Sequence, residues 1–184
     1  MSRSSLPVRF LPAAAIGGVL ALALVGAASL GVSWSSSSSF CMSCHEMRVV
    51  GEQGWMQSRH YQNDAGVVAS CSDCHVPHRL FPKLYVKARD GSKDVFVHFF
   101  GESDPSRMNW DELAASARRK VYDESCRSCH QNLTPEGLSI KGIVAHREYL
   151  RMKGRQRCLD CHLELFHGGF REYLFGQNHE GGTP

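Results

Sequence analysis

Hydropathy divides the chain into two unequal parts. Residues 10–34, FLPAAAIGGVLALALVGAASLGVSW, contain no charged side chain. A bilayer-spanning helix needs about 20 apolar residues, and interspersed Gly and Ala are common in such helices. The pattern predicts a transmembrane anchor over 10–34. Arg3 and Arg9 precede it, which places residues 1–9 in the cytoplasm. A cleaved signal peptide is the competing reading, but its apolar core spans only about 7 to 15 residues. Trp34 suits the outer interface. Ser35 to Ser39 form a serine run, expected to be a short, solvated linker. Five residues reach at most about 18 Å, so whatever follows stays near the bilayer.

Beyond residue 40, apolar and polar positions mix at helical spacing in short stretches separated by Gly, Pro and Ser. The prediction is a mainly α fold with much irregular structure and almost no sheet. Helices are expected over 82–101, 109–125 and 142–153. Asp111 and Glu112 near the start of the second, and Arg118, Arg119 and Lys120 near its end, complement the helix dipole. In the first, PKLYVKARDGSKDVFVHFF interleaves aromatics with Lys83, Lys87, Arg89 and Lys93. That is the composition of an amphipathic helix lying at a membrane interface; a basic helix packed on the rest of the domain is the plainer alternative.

The cysteines change the picture most. All eight fall in four C-x-x-C-H motifs: Cys41/Cys44/His45, Cys71/Cys74/His75, Cys126/Cys129/His130 and Cys158/Cys161/His162. C-x-x-C-H is the attachment signature of a c-type haem, two thiols bonding the vinyl groups and the histidine facing the iron. Zinc ribbons use C-x-x-C pairs without requiring a histidine after each. Four redox dithiols in so small a chain are the other reading that the motifs outweigh. Four covalent haems imply a periplasmic domain over 40–184, outside the cytoplasm. They also imply that haem, rather than aliphatic side chains, builds the core. The formal charge of +3 ignores haem propionates and carries no nucleic-acid signal.

The motif histidines are spaced 30, 55 and 32 residues apart, as in two dihaem halves. Four irons take up to eight axial ligands. Besides the motif histidines, the chain offers His60, His78, His98, His146, His167 and His179. The first motif adds Met47 two residues after His45, so two ligands compete for the first iron.

The anchor, FCMSCHEM directly after it, CSDCHVPH, CRSCHQNL and CLDCHLELFH resemble the NapC/NrfH family of membrane-anchored tetrahaem quinol dehydrogenases, over residues 10 to about 170. The compact length and CHQNL resemble the NrfH type, the electron-donating subunit of cytochrome c nitrite reductase. The resemblance implies four covalently bound haem c groups, with Met47 rather than His45 binding the first iron. A thioether favours ferrous iron and raises the potential relative to two imidazoles. The resemblance further implies His75, His130 and His162 as motif ligands, His60 as sixth ligand of the fourth haem and His167 of the third. His146 is a substitute candidate. His78 is expected to be structural or near the quinone pocket, and His179 solvated. The second haem is left without an internal sixth ligand, a position that a partner lysine fills in NrfH-type complexes.

Quinol oxidation needs a proton acceptor near the ring oxygen and a haem close by. Lys87 and Asp94, seven apart, share one helix face. They resemble the family's quinol-site lysine and the acid over the open side of the first haem. Lys83 and Asp90 are the register-shifted alternative, and His98 is a candidate proton relay. The function expected is a membrane-anchored quinol dehydrogenase. It would take electrons from the quinol pool, menaquinol above all, and pass them to a periplasmic multihaem nitrite reductase in a hetero-oligomer. The rivals are a NapC-type donor to another reductase and a multihaem carrier or sensor without a quinol site.

Overall fold

In the computed structural model, residues 10–102, 104–152, 155–162 and 167 are described. Nine α-helices and no strand occur among them. Helix α1, Leu11–Trp34, has 24 residues and a mean hydropathy of 2.2 over its most apolar window, and none of that window is covered by the rest of the protein. By length and composition it can cross a membrane. Pro12 sits in its first turn, where a missing N–H costs nothing.

The serine run, expected to be a short, solvated linker, is half-buried over residues 35–38 and tied back onto α1. Ser35 N–H donates to Gly31 O at 3.0 Å. The hydroxyls of Ser36 and Ser37 donate to Val32 O and Trp34 O at 2.6 and 2.9 Å. These bonds satisfy carbonyls that the end of α1 would otherwise leave open. Ser37 then caps α2, Ser38–Cys41, accepting from Phe40 N at 3.2 Å. The linker is therefore a tight turn, and the first motif begins seven residues after the end of the apolar helix.

The first motif continues into α3, His45–Gln53, and a 3₁₀ turn, Trp55–Gln57. Met42 lies across Gly51, where a Cβ would collide with its Sδ. Gly51→Val is therefore expected to lower the melting temperature of the haem-loaded protein, costing about 1–3 kcal/mol by overpacking. A thermal melt followed by circular dichroism checks this. Trp55 Nε1 donates to Ala69 O at 2.9 Å and closes the loop leading to the second motif. That motif is α4, Cys71–His75, pinned to the first by Cys71 N–H donating to Ser38 Oγ at 3.2 Å.

Helix α5, Leu80–Phe100, matches the expected amphipathic helix within two residues. The expected helix over 109–125 is instead two: α6, Trp110–Arg119, and α7, Asp123–Cys129. The break at 120–122 is held from outside the segment, by the Arg157 guanidinium donating to Arg118 O at 3.2 Å and to Val121 O. Helix α8, Ile140–Arg151, is capped by Ser139 Oγ accepting from Gly142 N. Helix α9, Cys158–Cys161, carries the fourth motif and ties to the third through Cys158 N–H and Asp123 Oδ1 at 3.2 Å.

Very little of this is held by an aliphatic core. Among the described residues the buried apolar side chains are Val86 and Leu159, and no large side chain is fully buried. A chain of this size cannot offset its ordering entropy on so little apolar burial. The motifs themselves occupy the centre. Helix α2 packs on α4 and α4 on α7.

Candidate functional site: a chain of haem motifs beside an apolar helix

The four motifs are laid end to end. Cys41 and Cys71 meet side chain to side chain, joining the first motif to the second. Cys74 lies near Cys129, joining the second to the third. Cys126 meets Cys158, joining the third to the fourth. All eight thiols are uncrosslinked, as thioether formation to haem requires. The order along the chain is thus also the order in space.

The histidines give the sharper test of whether haem fits. His60 faces His130 with ring centres 6.1 Å apart, His75 faces His167 at 6.3 Å, and His146 faces His162 at 6.0 Å. A metal–imidazole bond is about 2.0 Å long, so one iron between two imidazoles sets their ring centres about 6 Å apart. Three pairs converge on that spacing, and each contains one motif histidine. The chemistry around them agrees. Burial pushes the His75 imidazole down to about 4, with His167 and Lys120 adding to the effect, although the ring keeps an accessible edge. Burial also pushes His167 down. Neutral imidazole is the form that binds a metal. His146 donates through Nδ1 to Leu133 O, which orients the ring and leaves Nε2 for a metal. The residues present fit haem.

This arrangement redistributes the expected partners. His60 stands opposite the third motif, not the fourth. His167 stands opposite the second, not the third. The fourth motif faces His146, which sequence reasoning ranked as a substitute. The second motif therefore has an internal partner where none was expected. The physical reason is the α4–α7 packing, which brings the second and third motifs side by side. Spacing along the chain does not report that. A signal for His146 existed in its position on the amphipathic α8. His78, expected to be structural or near the quinone pocket, is exposed, and His179 lies outside the described residues.

The first motif is built differently. His45 lies 5.6 Å from His98, ring centre to ring centre, at a 60° tilt, and a carboxylate reaches both rings. Glu46 Oε1 is 2.7 Å from His98 Nδ1, and Oε2 is 3.6 Å from His45 Nδ1. Glu46 is buried, which opposes its charge, but its backbone bond and the two histidines outweigh that and hold its carboxyl below the ordinary range. Sequence reasoning missed Glu46; its place between the two rival ligands was the available signal. Met47 lies on the first turn of α3, 49% exposed.

Helix α5 brings the two quinol-site candidates to this motif. Lys87 Nζ donates to Ser35 O at 2.8 Å and to Ser36 Oγ at 3.1 Å, immediately past the end of α1. Lys87 and Asp94 are both electrostatic neighbours of Cys41. Burial pushes the Lys87 ammonium down, and Lys83 adds to the effect. Asp94 is open at its surface, yet the surrounding protein pushes its carboxyl up, with Lys120 opposing. The register-shifted alternative is otherwise engaged: Asp90 accepts from Arg89 at 2.7 Å and pairs with Lys120 at 3.3 Å.

Comparison with known proteins places this arrangement. The model of the NapC/NirT cytochrome c family, N-terminal region, matches residues 4–171. The cytochrome c-type protein NapC of Escherichia coli K12 is 35% identical over 158 residues, covering 83% of this chain and 78% of NapC. TorC of E. coli O157:H7 is 31% identical over 186 residues, 92% of this chain but 47% of the longer TorC. A putative tetraheme cytochrome of Allochromatium vinosum is 31% identical over 163 residues, 83% of each chain. The crystal structure of the NrfHA cytochrome c nitrite reductase complex bound to HQNO is similar over 84% of this chain at 28% identity and a TM-score of 0.49. The chain belongs to the NapC/NirT cytochrome c family, an electron-transfer cytochrome with four motifs for covalently bound haem c and one apolar N-terminal helix.

Proposed function

We propose that the protein is a single-span quinol dehydrogenase of the cytoplasmic membrane, with its haem domain in the periplasm. The observation that carries this reading is Lys87. Its ammonium joins the exit of the apolar helix to the first haem motif, so a lipid-borne reductant reaches the first haem and a hydrogen-bond donor together.

Bound haem accepts and relays single electrons; the rest is done by the side chains. Lys87 positions the quinol oxygen. Asp94, across the same motif, accepts a released proton. His98 and Glu46, 2.7 Å apart, lie on the other side of His45 and offer a second acceptor. Met47, on the first turn of α3 two residues after His45, is the proposed ligand of the first iron. His75, His130 and His162 are the proposed motif ligands, opposite His167, His60 and His146. Cys41, Cys44, Cys71, Cys74, Cys126, Cys129, Cys158 and Cys161 are the proposed attachment points.

The electron acceptor is a periplasmic reductase. Two readings of it stand, a multihaem nitrite reductase in a stable complex and a NapC-type partner. The pairing of His75 with His167 favours the second, because it leaves no ligand for a partner to supply. The experiment is full-length protein in liposomes mixed with menaquinol in a stopped-flow instrument. Rapid appearance of the reduced c-type absorption band supports the reading; absence of reduction by any membrane quinol, with dithionite still effective, overturns it. Copurification with the tagged native protein identifies the acceptor.

The pH dependence follows from Asp94. A proton acceptor works deprotonated, and this carboxyl titrates above the ordinary range because of burial. The reduction rate is therefore expected to fall as pH decreases through that raised value, earlier than for an ordinary carboxylate. Asp94→Asn is expected to lose that limb of the profile along with most of the rate.

A further inference from the structure

Between α5 and α6 lies a cavity of about 420 Å³, lined by Arg89, Asp90, Lys93, Arg119, Lys120 and Tyr122 together with Ser116. Four cations face one carboxylate. Asp90 is already matched by Arg89 and Lys120. Lys93 and Arg119 make no ion pair among the described residues. The site therefore carries uncompensated positive charge and two hydroxyls, the donor set of a phosphate oxyanion.

Its position on α5 narrows the source of that anion. At 100° per residue, Phe81, Tyr85, Val95, Phe96 and Phe99 lie on one side of the helix, opposite Val86, Asp90 and Asp94. That side is wholly exposed, Phe81 to 82%. Lys87, on the protein-facing side with Asp94, fastens the helix to the end of α1, so α5 and its exposed aromatic side start from the exit of the membrane anchor. Arg89 and Lys93, four apart, occupy the flank between the aromatic face and the protein. A phospholipid whose chains lie along the aromatics would place its phosphate on that flank.

We propose that this cavity binds the phosphate of an anionic phospholipid at the periplasmic surface. Acyl chains pack on Phe96 and Phe99, and the phosphodiester is held by Lys93 and Arg119 with the Tyr122 hydroxyl. The inference rests on the membrane placement of the proposed function and not on its quinol chemistry. Loss of lipid binding leaves quinol-driven reduction to be measured separately, and the reverse holds.

The test uses full-length, haem-loaded protein. It is incubated with phosphatidylglycerol or phosphatidylcholine in mild detergent and read by native mass spectrometry. One phosphatidylglycerol is expected to remain bound under conditions that strip phosphatidylcholine. Lys93→Gln and Arg119→Gln are each expected to weaken retention about fivefold, as a single surface cation contributes. Lys93→Arg is expected to preserve it, with unchanged haem content certifying the fold. Inorganic phosphate at millimolar concentration is expected to leave the lipid in place. Equal retention by the glutamine variants would overturn the proposal. Displacement by inorganic phosphate alone would overturn it in favour of a free-anion site. A shift of a haem midpoint potential in the variants with lipid retention intact would overturn it too, assigning the cations to a haem carboxylate.

Discussion

Lys87→Ala is expected to slow menaquinol-driven haem reduction at least 100-fold, with four haems per chain still attached. The argument is geometric. The ammonium is 2.8 Å from Ser35 O and beside Cys41, so it stands where a quinol leaving the bilayer would meet the first haem. Removing a charge-assisted hydrogen bond costs about 1.5–3 kcal/mol, about 10- to 150-fold. Loss of correct positioning for proton transfer adds to that, since general acid–base groups contribute about 10²- to 10⁴-fold. The lowered pKa of Lys87, caused first by burial, eases release of a proton from the ammonium and so suits a group that also exchanges protons. Lys87→Arg keeps the charge but not the compact donor, and is expected to recover only part of the rate. Dithionite reduction separates a failed quinol site from a failed haem chain. If Lys87→Ala keeps its full rate with menaquinol, the site lies elsewhere.

The second large effect concerns the histidine pairs. His146→Ala, His60→Ala and His167→Ala are each expected to turn one of four haems from six-coordinate and low-spin to high-spin, readable by electron paramagnetic resonance of the oxidised protein. Each pair has its ring centres 6.0–6.3 Å apart, too far for direct contact between the imidazoles and right for a shared iron. The decisive case is His167→Ala. If the second haem were completed by a partner and His167 served the third, the isolated chain would already hold a high-spin second haem and the substitution would add the third to it. The structure sets His167 against His75, so the isolated chain is expected to hold a low-spin second haem that this substitution exposes. Haem count by pyridine haemochrome keeps the result distinct from failed attachment, and His78→Ala, at an exposed position, serves as the silent control.

Much of this site is legible in the sequence because covalent haem attachment is local chemistry. C-x-x-C-H brings its thiols together from consecutive residues: the thiol pairs of the last three motifs lie on α4, α7 and α9, with His130 and His162 directly at the ends of the latter two. That Lys87 and Asp94 share a helix face was legible for a similar reason: seven residues is two helical turns, and α5 is continuous between them. The linker was less so. Its serines look solvated by composition, but their hydroxyls donate to the last carbonyls of α1, a bond that depends on where the helix stops. Glu46 carried only its place between His45 and Met47 as a signal, because its contact to His98 lies 52 positions away.

The sequence by itself determined the four haem-attachment motifs, the apolar helix and the helical class. These depend on motif spacing, on a long uncharged run and on periodicity, all of which act over a few residues. Only the tertiary structure decided which histidine stands across from which motif. That pairing depends on α4 meeting α7 and on the reach of loops around them, and a ligand on the far side of an iron is chosen by proximity in space.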